Sequence, residues 1–311
     1  MDKRDLGMNK PPTTFANFPY CAGFQHLEAR VAILGIPYGT PYDPDSEVHC
    51  RDAARMIRQE SVRYPDDPVA WDFDLGGPLV REGSFRVVDC GDVPGHIHDS
   101  KGNRQAAQKA VQQVLSAGAI PVVLGGDDSI PIPVLRAYEN QEPLTLLQID
   151  AHIDWRDEVD GIRDGYSSTM RRASELPHVN KIVQVGMRGV GSARRQEYRA
   201  AIDYGAEIVP SNKFREEGIA SVLVHLPEGS PCFLTIDFDA LDPSEMPAVG
   251  GPTPGGMHYM ELIQLIHAVS NRTDLVGVCL VELVPTKDIH NLGAITAMRV
   301  VWNVIGALLR K

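Results

Sequence analysis

Apolar residues in this chain fall in short unbroken blocks rather than in alternation. The blocks are VAILGI (31–36), FRVVDC (85–90), AIPVVLGG (119–126), LTLLQID (144–150), KIVQVGM (181–187), AEIVP (206–210), CFLTIDFD (232–239) and LVGVCLVELV (275–284). Runs of this kind, rich in β-branched residues, belong to strands buried on both faces of a parallel sheet, because half-exposed strands alternate. Between several of them the period lengthens to that of a helix. GNRQAAQKAVQQVLSAG (102–118) closes on Gly118, a C-cap residue, while MHYMELIQLIHAVS (257–270) and GAITAMRVVWNVIGALLR (293–310) repeat the pattern. Strand alternating with helix predicts an α/β domain whose parallel sheet is covered on both faces. Pro11, Pro12 and Pro19 predict an irregular arm over residues 1–29, ahead of one domain over 30–311 with no repeat and no dividing linker.

Composition narrows the classes. The chain has 311 residues, 43% of them hydrophobic and 23% charged, which supplies a core and argues against wholesale disorder. A net charge of -11 without a basic stripe excludes nucleic acid as a partner and suits cationic small molecules or divalent metals. The 5 cysteines form no CxxC pair, as expected of reduced thiols in a cytoplasmic protein. No apolar run is read as approaching the roughly 18 residues that span a bilayer. The opening MDKRDLGMNKPPTT lacks an apolar signal core, so a soluble, cytoplasmic protein without a membrane partner is expected.

The acids are distributed unevenly. VVLGG runs into Asp127 and Asp128, LTLLQI into Asp150, His152 and Asp154, CFLTI into Asp237, Asp239 and Asp242, and VCLV into Glu282. In open α/β sheets, ligands sit outside the carboxyl ends of the strands, which is where these acids fall. A single Asp at a strand end is ordinarily a cap or turn residue. Four strand ends doing this together point instead to a site. Alternate residues of an extended segment point the same way, so Asp150, His152 and Asp154 can converge, as can Asp237 and Asp239. Such a charge concentration requires cations or strongly raised pKa values. Mixed carboxylate and imidazole donors suit Mn²⁺, Fe²⁺, Ni²⁺ or Zn²⁺, and a metal pair would activate water for hydrolysis.

The motifs GGDDS (125–129), DAHID (150–154), TIDFDALDP (235–243), PTPGG (252–256) and VELVP (281–285), in this order, resemble those of the ureohydrolases, the arginase and agmatinase family. The resemblance runs from about residue 30 to the C-terminus and is nearest to agmatinase-like members. It implies a three-layer αβα sandwich around an eight-stranded, mainly parallel sheet, usually assembled as a trimer or hexamer. It also implies two divalent metal ions, Mn²⁺ or Ni²⁺, and hydrolysis of a small guanidino or amidino compound to urea and an amine by metal-bound hydroxide. By resemblance, Asp150 and Asp237 bridge both metals, His152 and Asp239 complete one shell, and Asp154 and Asp128 complete the other. Glu282 would orient the guanidinium, and Asp154 would relay a proton.

Two positions depart from the family pattern. The family motif reads GGDHS, and its histidine position is Asp128 here. An Asp Oδ lies as many bonds from Cα as a histidine Nδ1, so Asp128 can reach the same metal, while loss of that metal is the competing reading. Tyr166 stands where agmatinases carry a proton-shuttling histidine; it either donates a hydrogen bond in the site or packs beside it. In the following loop, Asp157, Glu158 and Asp160 would favour a cationic substrate tail. Arg156 and Arg163 would favour a carboxylate, and Trp155 would stack on a planar cation. A second class stays open: a non-catalytic subunit supporting an active paralogue in a mixed oligomer.

Overall fold

The computed structural model describes residues 6–43, 46, 48–63, 69–80, 87–190 and 193–310. Eight strands form one parallel sheet: β1 (Val31–Gly35), β2 (Val87–Asp92), β3 (Ile120–Leu124), β4 (Leu144–Ile149), β5 (Val179–Val185), β6 (Glu207–Val209), β7 (Pro231–Asp237) and β8 (Asp274–Val281). Their spatial order is β2-β1-β3-β8-β7-β4-β5-β6. Each apolar block of the sequence supplies one strand, although residues 85 and 86 of the second block lie outside the described residues.

The helices are α1 (Ala53–Ser61), α2 (Ser100–Ser116), α3 (Pro131–Arg136), α4 (Thr169–Ala173), α5 (Arg195–Tyr204), α6 (Ser211–Glu217), α7 (Ala220–Leu223), α8 (Tyr259–Arg272) and α9 (Leu292–Arg310). Strand parity divides the interior into two cores. Val31 and Ile33 of β1 join α1, α6, α7, α8 and α9 on one face, whereas Ala32 and Leu34 join α2, α3, α4 and α5 on the other. Leu234 and Phe233 of β7 separate in the same way. This is the expected three-layer αβα sandwich, and it explains why the strands read as continuous apolar runs. Local signals agree at helix ends. The Asp99 side chain caps α2 by accepting from the Gly102 N–H at 2.8 Å, and Gly118 takes φ 77° just past its end.

The arm, over its described residues 6–29, contains only the short 3₁₀ turns Phe15–Asn17 and Phe24–His26. It nevertheless packs tightly, with Phe15 and Phe18 buried and isolated bridges from Asn9 to Asp92 and from Tyr20 to Asp89. It therefore covers edge strand β2, whose unpaired backbone would otherwise template association. Beneath it the buried Arg58 guanidinium pairs with Asp89 at 2.8 and 3.0 Å and with Asp92 at 2.5 Å. One expectation needs correction. Helix α9 is long and apolar enough to cross a membrane, but 67% of its apolar window is buried and it packs on α1 and α8. It is a core helix.

Register aligns the strand ends. Ile149 lies beside Ile236, Ile236 beside Leu280, and Leu280 beside Leu124. Asp150, Asp237 and Val281 thus stand abreast, with Glu282 one step further. Gly126 completes the row, since its carbonyl accepts from the Glu282 N–H at 2.9 Å. A Cβ on Gly126 would fall 1.7 Å from the Tyr38 carbonyl oxygen, backbone that has no room to yield. Gly126→Ala is expected to destabilise the fold by about 1–3 kcal/mol, as for other overpacked sites. A urea midpoint equal to that of the unsubstituted protein would show that the crossing of these two loops is not tight.

Candidate metal centre and substrate cavity

The ends of β3, β8, β7 and β4, four neighbours at the middle of the sheet, form the floor of a cavity of about 510 Å³. Asp128, His152, Asp154, Asp237, Asp239 and Glu282 all line it. Ligand atoms of Asp150, His152 and Asp239 lie within 4.8 Å of one another, as do those of Asp128, Asp150 and Asp237. Two candidate cation positions therefore share Asp150. Seven of the acidic and imidazole side chains anticipated from the sequence are brought together at one place.

Burial makes this arrangement electrostatically demanding. It raises Asp128, Asp150 and Asp237 well above the usual carboxylate range, and neighbouring carboxylates add to the effect. It raises Asp154 to about 6 and Asp127, beside Glu282, also to about 6. Burial opposes charge on His152, but Asp150 and Asp239 outweigh it and hold the imidazole up to about 11. The Nδ1 of His152 is 3.0 Å from Asp239 and 3.5 Å from Asp150. Both carboxylate oxygens of Asp128 are buried without a hydrogen-bond partner. The Thr169 hydroxyl beside it donates instead to the Asp128 backbone carbonyl. Buried oxygens in that state call for a cation or a proton.

The remaining acids are held in fixed orientations. Ala151 N–H donates to Asp239 at 3.1 Å, His152 N–H to Asp150 at 2.6 Å, and Asp239 N–H to Asp237 at 2.7 Å. Asp154 and Glu282 adopt φ of 49° and 68°, a left-handed conformation that side chains other than glycine rarely accept and that concentrates at functional sites. Glu282 has a partner for each oxygen, the Asp128 N–H at 2.9 Å and His49 Nε2 at 2.7 Å.

Several residues give no motif-level signal. Gln148 in β4 donates to Asp150 and Asp154, each at 2.7 Å, and itself accepts from Gln184 in β5. A glutamine inside a fully buried apolar strand is the trace that both leave in the sequence. Arg188 runs beneath the site, donating to the carbonyls of Asp239 at 2.6 Å and Thr253 at 2.7 Å. His49 and Lys287 line the cavity from segments without any pattern.

The loop after Asp154 differs from what its composition suggests. Trp155 does not reach the cavity: it is buried, and its indole N–H donates to Gln184 at 2.8 Å. Stacking on a planar substrate is therefore replaced by support of the glutamine pair. Asp157 is exposed and engaged by Arg163 and Arg172, and Arg163 points to an adjoining groove, so neither lines the cavity. Arg156 and Tyr166 do line it. Burial beside Tyr42 raises the Tyr166 phenol above its ordinary value. His96, His98, His258 and His290 are exposed and away from this cluster.

A parallel αβα sandwich with a ring of acids at its central strand ends is the class of protein on which three comparisons converge. The model of the arginase family matches residues 29–306. The chain is 31% identical over 280 residues to the N(1)-aminopropylagmatine ureohydrolase of Thermus thermophilus, covering 90% of each. It is 27% identical over 304 residues to the guanidinobutyrase of Pseudomonas aeruginosa, covering 93% of this chain and 92% of that one. Among solved structures, the proclavaminate amidino hydrolase of Streptomyces clavuligerus superposes with a TM-score of 0.81 at 26% identity, covering 98% of this chain and 99% of that one. The chain belongs to the arginase family and is an enzyme of the ureohydrolase class.

The electrostatics fix a pH response. Asp127 and Asp154 hold their protons more tightly folded, at about 6, than the ordinary 3.8. Raising pH through that window therefore removes stability, because the folded chain must then bear buried charge. His152 adds the same sign, since a raised imidazole stabilises below its folded value and loses that contribution as pH rises toward about 11. The metal-free protein is expected to melt at a lower temperature at pH 8 than at pH 5. Saturating Mn²⁺ should reverse the trend, because metal binding displaces these protons. A metal-free melting temperature that rises across this interval would contradict the assignment of the cluster.

Proposed function

We propose that this ureohydrolase cleaves the C–N bond of a guanidino acid, releasing urea and an amine, with two divalent ions held by the acid cluster. The observation that carries the metal reading is the buried, unpartnered carboxylate of Asp128 beside Asp150 and Asp237. Asp150, His152, Asp237 and Asp239 would hold one ion, and Asp128, Asp150, Asp154 and Asp237 the other. Mixed carboxylate and imidazole donors fit Mn²⁺ or Ni²⁺. When bound, such a pair supplies Lewis-acid activation of water at neutral pH.

The chain's own residues supply the rest. Glu282, fixed by the Asp128 N–H, presents a carboxylate edge to the planar guanidinium. Asp154, oriented by Gln148, can accept a proton from the attacking water and pass it on. Tyr166 flanks the cavity against Tyr42, ring centroids 4.5 Å apart, and narrows it. The cations that line the cavity support the substrate class. Arg156 and Lys287 line the cavity, whereas Asp157 is held outside it by arginines. A carboxylate tail would be drawn to these cations and a second cation repelled.

A urea-release screen of the Mn²⁺-loaded and Ni²⁺-loaded protein tests this reading. Turnover of 4-guanidinobutanoate is expected to exceed that of agmatine, and Arg156→Gln with Lys287→Gln should raise KM for the acid roughly tenfold or more. Preference for agmatine would overturn the tail assignment. Elemental analysis should find close to two ions per chain, falling to close to one in Asp128→Ala. Retention of both ions by that variant would remove Asp128 from the ligand set, and no ions in the unsubstituted chain would favour a supporting subunit.

A further inference from the structure

Expulsion of an amine from a tetrahedral carbon requires a proton on the departing nitrogen. Two histidines line the cavity. His152 lies among the carboxylates of Asp150 and Asp239, while His49 stands apart on the loop between β1 and α1. Its side chain is 37% exposed, and its Nε2 is 2.7 Å from Glu282 Oε2. Its ring meets that of Tyr166 edge-on, centroids 6.1 Å apart. Asp154, also in the cavity wall, is taken up with the proton of the attacking water, and three further polar groups there are poor proton donors. The Tyr166 phenol holds its proton above the ordinary value because it is buried. Arg156 does not deprotonate. The Lys287 ammonium is engaged by the Val249 and Gly250 carbonyls at 3.2 and 2.9 Å.

We propose that His49 is the general acid that protonates the departing amine, with Glu282 holding both its imidazolium and the substrate guanidinium. This inference rests on the reading of the chain as a guanidino hydrolase. The oxygen of water, having given up one proton, bonds to the guanidinium carbon. His49 passes the Nε2 proton that it shares with Glu282 to the substituted nitrogen of the guanidinium held on the same carboxylate, and the C–N bond breaks with its electron pair going to that nitrogen. The carbon fragment is then protonated urea, which returns a proton to His49 and leaves as urea.

The surroundings of His49 couple this transfer to binding. Glu282 faces it from the end of β8, Asp127 from the end of β3, and Lys287 from the segment after β8. Tyr166 stands across the cavity, and the Cys50 thiol, 3.7 Å from Glu282, lies on the same loop. The hydrogen bond to Glu282 holds the imidazole above its ordinary value, with burial opposing. A guanidinium that shares Glu282 brings a second cation beside His49 and loosens its proton. Substrate binding thereby makes His49 a stronger acid at the moment an acid is needed.

The test uses the full chain loaded with Mn²⁺ and the best substrate of the urea screen. Activity of the unsubstituted enzyme should fall on the alkaline side as His49 loses its proton. His49→Gln should lower kcat about a hundredfold and remove that alkaline fall, and added imidazole should partly restore His49→Ala. A readout independent of turnover is calorimetric titration with guanidinium chloride near neutral pH in two buffers of different ionisation enthalpy. Proton release on binding is expected from the unsubstituted chain and not from His49→Gln. Unchanged kcat and alkaline fall in His49→Gln, or a raised KM without rescue by imidazole, would overturn the role of His49 alone. Absence of urea from the unsubstituted chain on every guanidino compound would overturn the functional reading and this one with it.

Discussion

Buried negative charge at the carboxyl edge of the sheet is the constraint around which the rest of the molecule is arranged. Asp127, Asp128, Asp150, Asp154, Asp237, Asp239 and Glu282 are all buried within one region. Few protein cations face them. Arg188, from the end of β5, lies beneath the wall with its donors on backbone carbonyls, so its charge reaches Asp239 and Asp150 without blocking their oxygens. His152 and His49 supply the other partners. An uncompensated buried carboxylate costs several kcal/mol. A fold that concentrates this many of them gains stability from bound protons or from added positive charge, which is the physical case for metal.

Holding these groups apart from one another calls for rigidity, and the sheet provides it. Register sets Asp150, Asp237 and Val281 abreast, and backbone N–H groups of residues 151, 152 and 239 fix one oxygen each of Asp239, Asp150 and Asp237. The strained backbone at Asp154 and Glu282 survives because both side chains are clamped, one by Gln148 and one by the Asp128 N–H. Trp155 belongs to this framework as well, since its indole fixes Gln184, which fixes Gln148. What reads as a substrate-facing aromatic is therefore three hydrogen bonds removed from the acids.

The strands and the acid wall were legible because both rest on local rules. An apolar block buried on two faces is visible without knowledge of its neighbours, and alternate residues at its end share a direction. Helices α1 and α3 to α7 went unseen for a physical reason. Most are short, and tertiary packing rather than periodicity fixes them, as with Pro131 and Pro133 inside α3. His49 was illegible because its loop has no pattern and its role depends on Glu282, 233 residues away. The apolar stretch of α9 has membrane length, and a core helix and a spanning helix differ in surroundings rather than in composition.

The loop after Asp154 shows why composition misleads about a cavity's charge. Asp157 suggests a cationic substrate, yet it is engaged by Arg163 and Arg172, and those arginines also reach Glu175. An exposed carboxylate paired in this way carries little field into the site. The charges that face the cavity are the few whose side chains line it: the acids on the floor, Glu282 and His49 with Lys287 beside them, and Arg156. Divalent ions on the floor would offset its acids. A guanidinium at Glu282 then lies over a floor whose charge is nearly balanced, and it is the substrate's other end, rather than the guanidinium common to all candidates, on which Arg156 and Lys287 can discriminate.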